Sequence, residues 1–408
     1  MTPDSKELAG LATGRDDSLF AEDIRRSNSI LRERITGKRI LVIGGAGSIG
    51  SSTVRSIIPF APAALHVVDQ NENMLTELVR DLRSRFDGVA LGDFRTVPIN
   101  FGGPIMQRYI REQDPYDYVL NFAALKHVRS EKDCFSVLQM IETNALRPAY
   151  LLRWLVERGG LRGYFCVSTD KAANPVNLMG ASKRLMEHVI FSGEAADTTG
   201  VRITSARFAN VAFSDGSLLQ GWLVRLDKGQ PIAVPQHTKR YFVSLEEAGQ
   251  ICLLAAFLAP DGHILVPRLD PAKDLIDLSE LAISVLKSFG FEANRLTDEA
   301  AARNAALNRA DDGTYPLLLT PLDTSGEKPY EEFVGDGEST LEIGLKEALA
   351  VDPSPCEPGT LRTFLKTVEA IIETPERPAS RTEIVEQMGT VIPEFEHNAS
   401  DEILDQRL

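Results

Sequence analysis

Cysteine is scarce and scattered. The 408-residue chain holds four, Cys134, Cys166, Cys252 and Cys356, with no C-x-x-C pair. That argues against a disulfide framework or a cysteine zinc site, and implies reduced thiols in a cytoplasmic setting. Long apolar runs are missing too. A membrane helix needs about 18 apolar residues, and the best candidate, residues 251–259, has nine. The opening MTPDSKELAG has no basic stretch followed by an apolar run, so no secretory signal is expected. Basic residues are outnumbered: 44 Lys+Arg against 58 Asp+Glu leave a net charge of −14. Such a balance argues against nucleic acid and anionic membrane as partners, while a local site can still take an anionic small ligand. The six histidines show no H-E-x-x-H or comparable spacing, so no metal is expected.

What remains is an ordinary globular composition, 43% hydrophobic and 25% charged, on a length that suggests two domains. Short apolar strands are expected at 39–43, 65–69, 96–100, 118–122, 164–168 and 202–208. Helical segments fall between them at 48–58, 71–85, 104–113, 142–158 and 178–193. Strand–helix alternation at this spacing implies an α/β fold: a Rossmann-type doubly wound parallel sheet covered on both faces. After Asn210 the pattern loosens around Pro231, Pro235 and Pro267, as expected of a smaller mixed α/β substrate domain. The expected organisation is an N-terminal helical arm (1–37), a dinucleotide-binding domain (38–212), a substrate-binding domain (213–374) with some segments returning to the first, and a C-terminal tail (375–408). The arm reads as one helix over 19–35, packing on the body or on a second subunit. A short amphipathic helix is expected at 384–388.

Gly44-Gly45-Ala46-Gly47-Ser48-Ile49-Gly50 sits where the first strand ends and a helix begins. Glycines at 44, 47 and 50 permit a tight turn, let backbone N–H groups approach a pyrophosphate and let the helix pack against the strand. The helix N-terminus then offers unpaired donors, including those of Ala46, Ser48 and Ile49, to the phosphates. Asp69 closes the second strand 19 residues after Gly50 (69 − 50), where a carboxylate can bond a ribose 2′-hydroxyl. This favours NAD over NADP. Ser51-Ser52 follow Gly50 where a nucleoside-triphosphate loop would carry lysine. Asp93 is a candidate for the adenine, against an exposed turn aspartate.

Ser168-Thr169-Asp170-Lys171 ends an apolar strand, and in a doubly wound sheet that end faces the cofactor crevice. Twelve residues past Lys171, Lys183 lies in Met179-Gly180-Ala181-Ser182-Lys183. Here the chain resembles the extended short-chain dehydrogenase/reductase family, whose nucleotide-sugar branch has a Ser/Thr strand end followed by Y-x-x-x-K. The tyrosine position is Met179, and a thioether cannot exchange the proton that a phenol would. With that departure the chain resembles the polysaccharide-biosynthesis group of NDP-N-acetylhexosamine 4,6-dehydratases, in which Met stands for Tyr and a Thr-Asp-Lys run carries the chemistry. Residues 121–128 (NFAALKHV), 142–144 (ETN), Asn174-Pro175, 207–211 (RFANV) and 326–328 (GEK) match as well. The segment before 326–328 departs, with Thr324-Ser325 where Arg-Pro is usual. The tail, with Ile392-Pro393-Glu394-Phe395, is most similar to the soluble dehydratases of the legionaminic-acid type branch.

The resemblance implies 4,6-dehydration of UDP- or GDP-N-acetylglucosamine, for surface glycan or nonulosonic acid synthesis, by a cytoplasmic homodimer or higher homo-oligomer using NAD. It implies Asp170 as acid toward the C6 oxygen and Lys171 as base at C5. Thr169 would bond the C4 oxygen, Lys183 the nicotinamide ribose, and Met179 would pack on the nicotinamide. Ala123 and Ala124 would face the cofactor. Lys126, Asn210, Ser217, Leu218 and Arg240 are candidates for the substrate, the arginine because its fork suits phosphate. Asn144 reads as a structural helix residue beside the site. The acceptor of the C4-hydroxyl proton stays open between Asp170 and an ordered water. Competing readings are a nucleotide-sugar epimerase at C4 or C5 and a non-catalytic cofactor-binding protein.

Overall fold

The computed structural model describes residues 3–86, 92–126, 131, 133–308, 313–321, 330, 332–374, 376 and 378–395. His127, Val128, His397 and the 326–328 motif with its preceding Thr324-Ser325 lie outside the described residues. The strands are β1 Arg39–Ile43, β2 Ala64–Val68, β3 Asp93–Val97, β4 Tyr118–Asn121, β5 Gly163–Val167, β6 Arg202–Ala206, β7 Asn210–Val211, β8 Ile232–Pro235, β9 Lys239–Val243, β10 His263–Pro267, β11 Leu275–Asp277, β12 Glu292–Leu296, β13 Thr314–Thr320, β14 Ser339–Leu341 and β15 Ala348–Asp352. The helices are α1 Ser5–Thr13, α2 Ala21–Arg26, α3 Asn28–Ile35, α4 Ser48–Ile57, α5 Glu72–Arg85, α6 Pro104–Glu112, α7 Cys134–Ile141, α8 Arg147–Arg158, α9 Leu178–Phe191, α10 Leu218–Asp227, α11 Leu245–Leu258, α12 Leu278–Ser288, α13 Glu299–Leu307, α14 Pro358–Glu373 and α15 Arg381–Val391.

A nine-stranded sheet runs in the order β14-β15-β10-β6-β5-β4-β1-β2-β3. From β3 to β10 every pairing is parallel, and β15 and β14 add antiparallel strands at the far edge. Residues of β1 alternate between two cores. Ile40 and Val42 join α3, α4 and α11 on one face, while Leu41 and Ile43 join α6, α8, α9, α14 and α15 on the other. That two-sided burial is why β1, β2 and β5 read as nearly continuous apolar runs. The chain goes outward from β1 through β2 to β3, then returns to place β4 on the other side of β1. The reversal opens a crevice at the carboxyl ends of these strands.

The later half of the chain contributes to both parts of the molecule. Strands β10, β14 and β15 extend the large sheet, and α11 packs on α4 so closely that a Cβ on Gly249 would lie 2.5 Å from Ser52 Oγ. Two three-stranded sheets, β11-β9-β7 and β12-β13-β8, surround a separate core that includes Trp222 and Tyr315.

Three local expectations need correction. The strand expected at 96–100 is β3, three residues earlier. Pro98 has no N–H to continue a ladder, so pairing with β2 ends at Val97. The arm is three short helices rather than one over 19–35. Asp4 caps α1 by accepting the N–H of Lys6 and Glu7, left-handed Gly14 ends it, and the chain breaks again at Ser27. The arm is bound to the body: Arg15 pairs with Glu247 and Asp274, and Asp23 accepts the N–H of Lys346 and Glu347. Finally, the C-terminal helix is longer than 384–388, starting at Arg381 with Ser380 as its cap.

Candidate active site

The crevice is a cavity of about 1000 Å³ at the carboxyl ends of β1, β2, β4 and β5, closed on the other side by residues 208–219 and by β9. Gly44 forms its floor with φ +68°, and a Cβ there would lie 2.6 Å from Ala123 N. A Cβ on Gly50 would lie 2.3 Å from Gly44 O. Both positions therefore exclude any side chain, and the turn stays tight against β4 and α4. No side chain caps α4, whose N-cap is Gly47, so its first amides face the crevice as anion donors. Asp69 Oδ2 accepts the Ala46 N–H at 3.2 Å and Oδ1 accepts the Asn71 N–H at 3.0 Å, fixing the carboxylate at the end of β2.

Asn144 organises the opposite wall. It lies in a π-helical turn, Glu142–Leu146, between α7 and α8. Its Oδ1 accepts the Leu125 N–H at 2.9 Å, and its Nδ2 donates to Leu125 O at 2.8 Å and to Ser182 Oγ at 2.9 Å. The extra residue of that turn aims one buried amide at both the 123–126 loop and α9.

Thr169, Asp170 and Lys171 project from the end of β5 into the same cavity. The Thr169 hydroxyl donates to Asp170 Oδ1 at 2.8 Å, as do the Lys171 N–H at 2.9 Å and Lys171 Nζ at 3.1 Å. Asp170 Oδ2 is buried and has no hydrogen-bond partner among the described residues. Lys183 is buried on α9, where Nζ donates to Val167 O at 2.6 Å, and burial lowers its pKa. Met179 lines the cavity one turn earlier, and its N–H donates to Glu131 Oε1 at 2.9 Å. Burial raises the Glu131 pKa.

Beneath this cluster lies a buried ionic group. Ser168 Oγ donates to Glu187 Oε1 at 2.6 Å, Arg207 binds Glu187 with both Nε and Nη2, and Glu338 bridges Arg207 and Arg184. Burial alone would raise the Glu187 pKa, but the two guanidinium groups and the Ser168 hydroxyl hold it at about 2.

On the remaining side, Lys126 Nζ donates to Asp215 O at 2.8 Å, Asn210 Nδ2 to Tyr241 O at 3.4 Å and Arg240 Nη1 to Lys239 O at 2.9 Å. Ser217 caps α10 by accepting the Gln220 N–H, and Leu218 is exposed beside it. The cavity thus brings together Gly44, Gly47, Ser48, Ile49, Gly50, Asp69, Ala123, Ala124, Lys126, Thr169, Asp170, Lys171, Met179, Lys183, Asn210, Ser217, Leu218 and Arg240. Ala46 lies just behind it, buried in the turn.

Asp93 is not among them, and its adenine role is withdrawn. It opens β3 opposite Ala64, at the end of the sheet away from the crevice. There it pairs with Arg39, Arg95 and His66. Residues at the other end of β3 line the cavity instead: Ile99, Asn100 and Phe101. Locating the end of that strand at Pro98 would have found them. Thr143, from the 142–144 motif, also lines the wall, with Gln139 and Arg147 one turn to either side of it.

The chain matches the family described as polysaccharide biosynthesis protein over residues 40–353. An uncharacterized membrane protein of Methanocaldococcus jannaschii is 34% identical over 78% of the chain and 86% of its own length. EpsC of Bacillus subtilis, a probable polysaccharide biosynthesis protein, is 28% identical over 79% of the chain, which spans about half (49%) of that relative. The inverting UDP-N-acetylglucosamine 4,6-dehydratase of Campylobacter jejuni is 26% identical over 58% of the chain and 69% of its own length. UDP-glucose 4-epimerase of Rickettsia felis is 25% identical over 75% and 89%. Among solved structures, Pen from Bacillus thuringiensis shares the fold with a TM-score of 0.63 at 21% identity, over 79% of this chain and 89% of that one. Among the described residues no helix is long and apolar enough to cross a membrane. The chain belongs to the polysaccharide biosynthesis protein family, on an extended short-chain dehydrogenase/reductase fold.

Proposed function

We propose that the chain is an NAD-dependent dehydratase that converts a nucleotide-activated N-acetylglucosamine, UDP- or GDP-linked, to its 4-keto-6-deoxy sugar. The observation that carries this reading is the Thr169-Asp170-Lys171 cluster, with Asp170 Oδ2 buried and without a hydrogen-bond partner among the described residues, in a crevice lined by Met179 and Lys183. The glycine turn whose Cβ positions are filled by backbone, the uncapped α4 and the Asp69 carboxylate fit a dinucleotide with a free 2′-hydroxyl. The cavity continues past that turn to Lys126, Asn210, Ser217 and Arg240. Bound NAD supplies a hydride acceptor and donor, so that the sugar is oxidised at C4 and reduced at C6 with no net redox change.

The protein's own residues handle the protons. Thr169 binds the C4 oxygen and passes its proton to Asp170, on which it already donates. Asp170 delivers that proton to the C6 hydroxyl, which leaves as water. Lys171 takes the C5 proton, made acidic by the 4-keto group, and returns it to C5 after C6 is reduced. Each proton is then accounted for without tyrosine. Lys183 would hold the nicotinamide ribose, and Met179 would pack beside the ring. Lys126, Asn210, Ser217, Leu218 and Arg240 form the sugar–nucleotide side. The family assignment and the dehydratase relative agree with this reading.

A C4 epimerase is the competing reading, favoured by the Rickettsia relatives. It needs no acid at C6 and no base at C5, which leaves Lys171 without a task. Incubation with UDP- and GDP-N-acetylglucosamine followed by mass spectrometry separates the two. Loss of one water supports dehydration; an unchanged mass with a new C4 configuration supports epimerisation.

A further inference from the structure

The turn after β7 carries a connection that a dinucleotide site does not require. Ser48, the first residue of α4, donates from Oγ to Asp215 Oδ2 at 2.8 Å and accepts the Asp215 N–H at 2.9 Å. Lys126, from the loop after β4, donates to the Asp215 carbonyl at 2.8 Å. One residue thus ties together the glycine turn and the 123–126 loop from across the crevice. Ser48, Lys126, Ser214 and Gly216 all line the cavity, whereas Asp215 is exposed, so the three bonds lie at its rim. The Asp215 carboxylate engages the Ser48 hydroxyl rather than the amides of α4, which leaves those donors free for a diphosphate.

We propose that Asp215 is a cofactor-retaining residue: its bonds to Ser48 and Lys126 form a clasp across the rim of the dinucleotide crevice and slow the release of NAD. This rests on the assignment of the crevice to NAD, and not on which sugar reaction follows. Retention suits a reaction that hands its hydride back, because the cofactor leaves each turnover in its starting state and has no need to exchange. Loss of the reduced cofactor in mid-cycle would strand an oxidised sugar. A carboxylate close to a diphosphate carries a repulsive cost, and the Lys126 ammonium beside it offsets that cost.

Release of radiolabelled NAD, chased with excess unlabelled NAD and no sugar present, tests the clasp. Asp215→Ala removes one charge-assisted bond, and release is expected to accelerate about 10-fold. Asp215→Asn keeps an acceptor for Ser48 and is expected to stay much closer to the wild-type rate. Asp215 is exposed, so both variants should fold, and circular dichroism checks this. Release from Asp215→Ala at or below the wild-type rate would overturn the clasp while leaving NAD binding intact, as would Asp215→Asn releasing as fast as Asp215→Ala. A wild-type chain that binds no labelled NAD would overturn the crevice assignment itself.

Discussion

The Thr169 hydroxyl donates to Asp170 Oδ1 at 2.8 Å, while the other oxygen of the same carboxylate is buried without a partner among the described residues. One side of the carboxylate is held by its neighbours and the other is left for a ligand. A buried unpartnered acceptor is costly to stability and is expected where the missing partner is substrate. The two proton transfers proposed for Asp170 would use this asymmetry.

Asp170→Asn should lower kcat by about 10²- to 10⁴-fold, the range of a lost general acid. NAD affinity should stay within about threefold, because the glycine turn and Asp69 are untouched. Steady-state kinetics and a calorimetric NAD titration together check the expectation. Thr169→Val should lower kcat as well, with a smaller loss, since a water can replace the hydroxyl.

Lys171→Met removes the base proposed for C5. In deuterated water the wild-type chain should incorporate solvent deuterium at C5 of the product. Lys171→Met should lose both turnover and exchange of the C5 proton, read by proton NMR. Exchange that persists in the variant would assign the base elsewhere.

The floor of the crevice gives a binding prediction. A Cβ at Gly50 meets Gly44 O at 2.3 Å, so Gly50→Ala must push the turn away from α4. NAD affinity should fall at least 10-fold, with thermal denaturation used to confirm that the variant is folded. Asp69→Ala should weaken NAD binding while reducing discrimination against NADP, because the carboxylate that repels a 2′-phosphate is gone.

Below the site, Glu187 is held at about 2 against an ordinary 4.5. A carboxylate depressed in the folded state contributes stability above its unfolded pKa. That contribution is lost as pH falls through the folded value, here from about 4.5 toward 2. Glu187→Gln should therefore be less stable than wild type near neutral pH, by roughly 3–5 kcal/mol for a broken buried pair. The difference should shrink as pH drops through that window. Chemical denaturation at a series of pH values measures both effects.

Much of the large sheet and of the crevice was legible in the sequence because both depend on local spacing. A glycine turn, an acidic strand end and a Ser-Thr-Asp-Lys run each declare themselves within a few residues. Asp93, expected in a turn ahead of a strand at 96–100, instead opens β3 at the end of the sheet away from the crevice, and Pro98, which ends that strand, was the missing clue. Glu187, Arg207, Glu338 and Arg184 form one buried group from segments that are far apart in the chain. Arg184 and Glu187 are an i,i+3 pair on α9, but nothing in the spacing announces their contacts with Arg207 and Glu338. The π-helical turn at Asn144 is equally silent, since one extra residue in a helix leaves the apolar pattern almost unchanged.

The most direct measurement uses UDP- and GDP-N-acetylglucosamine carrying deuterium at C4. Dehydration with an internally returned hydride predicts a product lighter by one water, with the label on C6. A sugar recovered at its original mass with deuterium still at C4, from a chain shown to hold NAD, would contradict dehydration at this crevice.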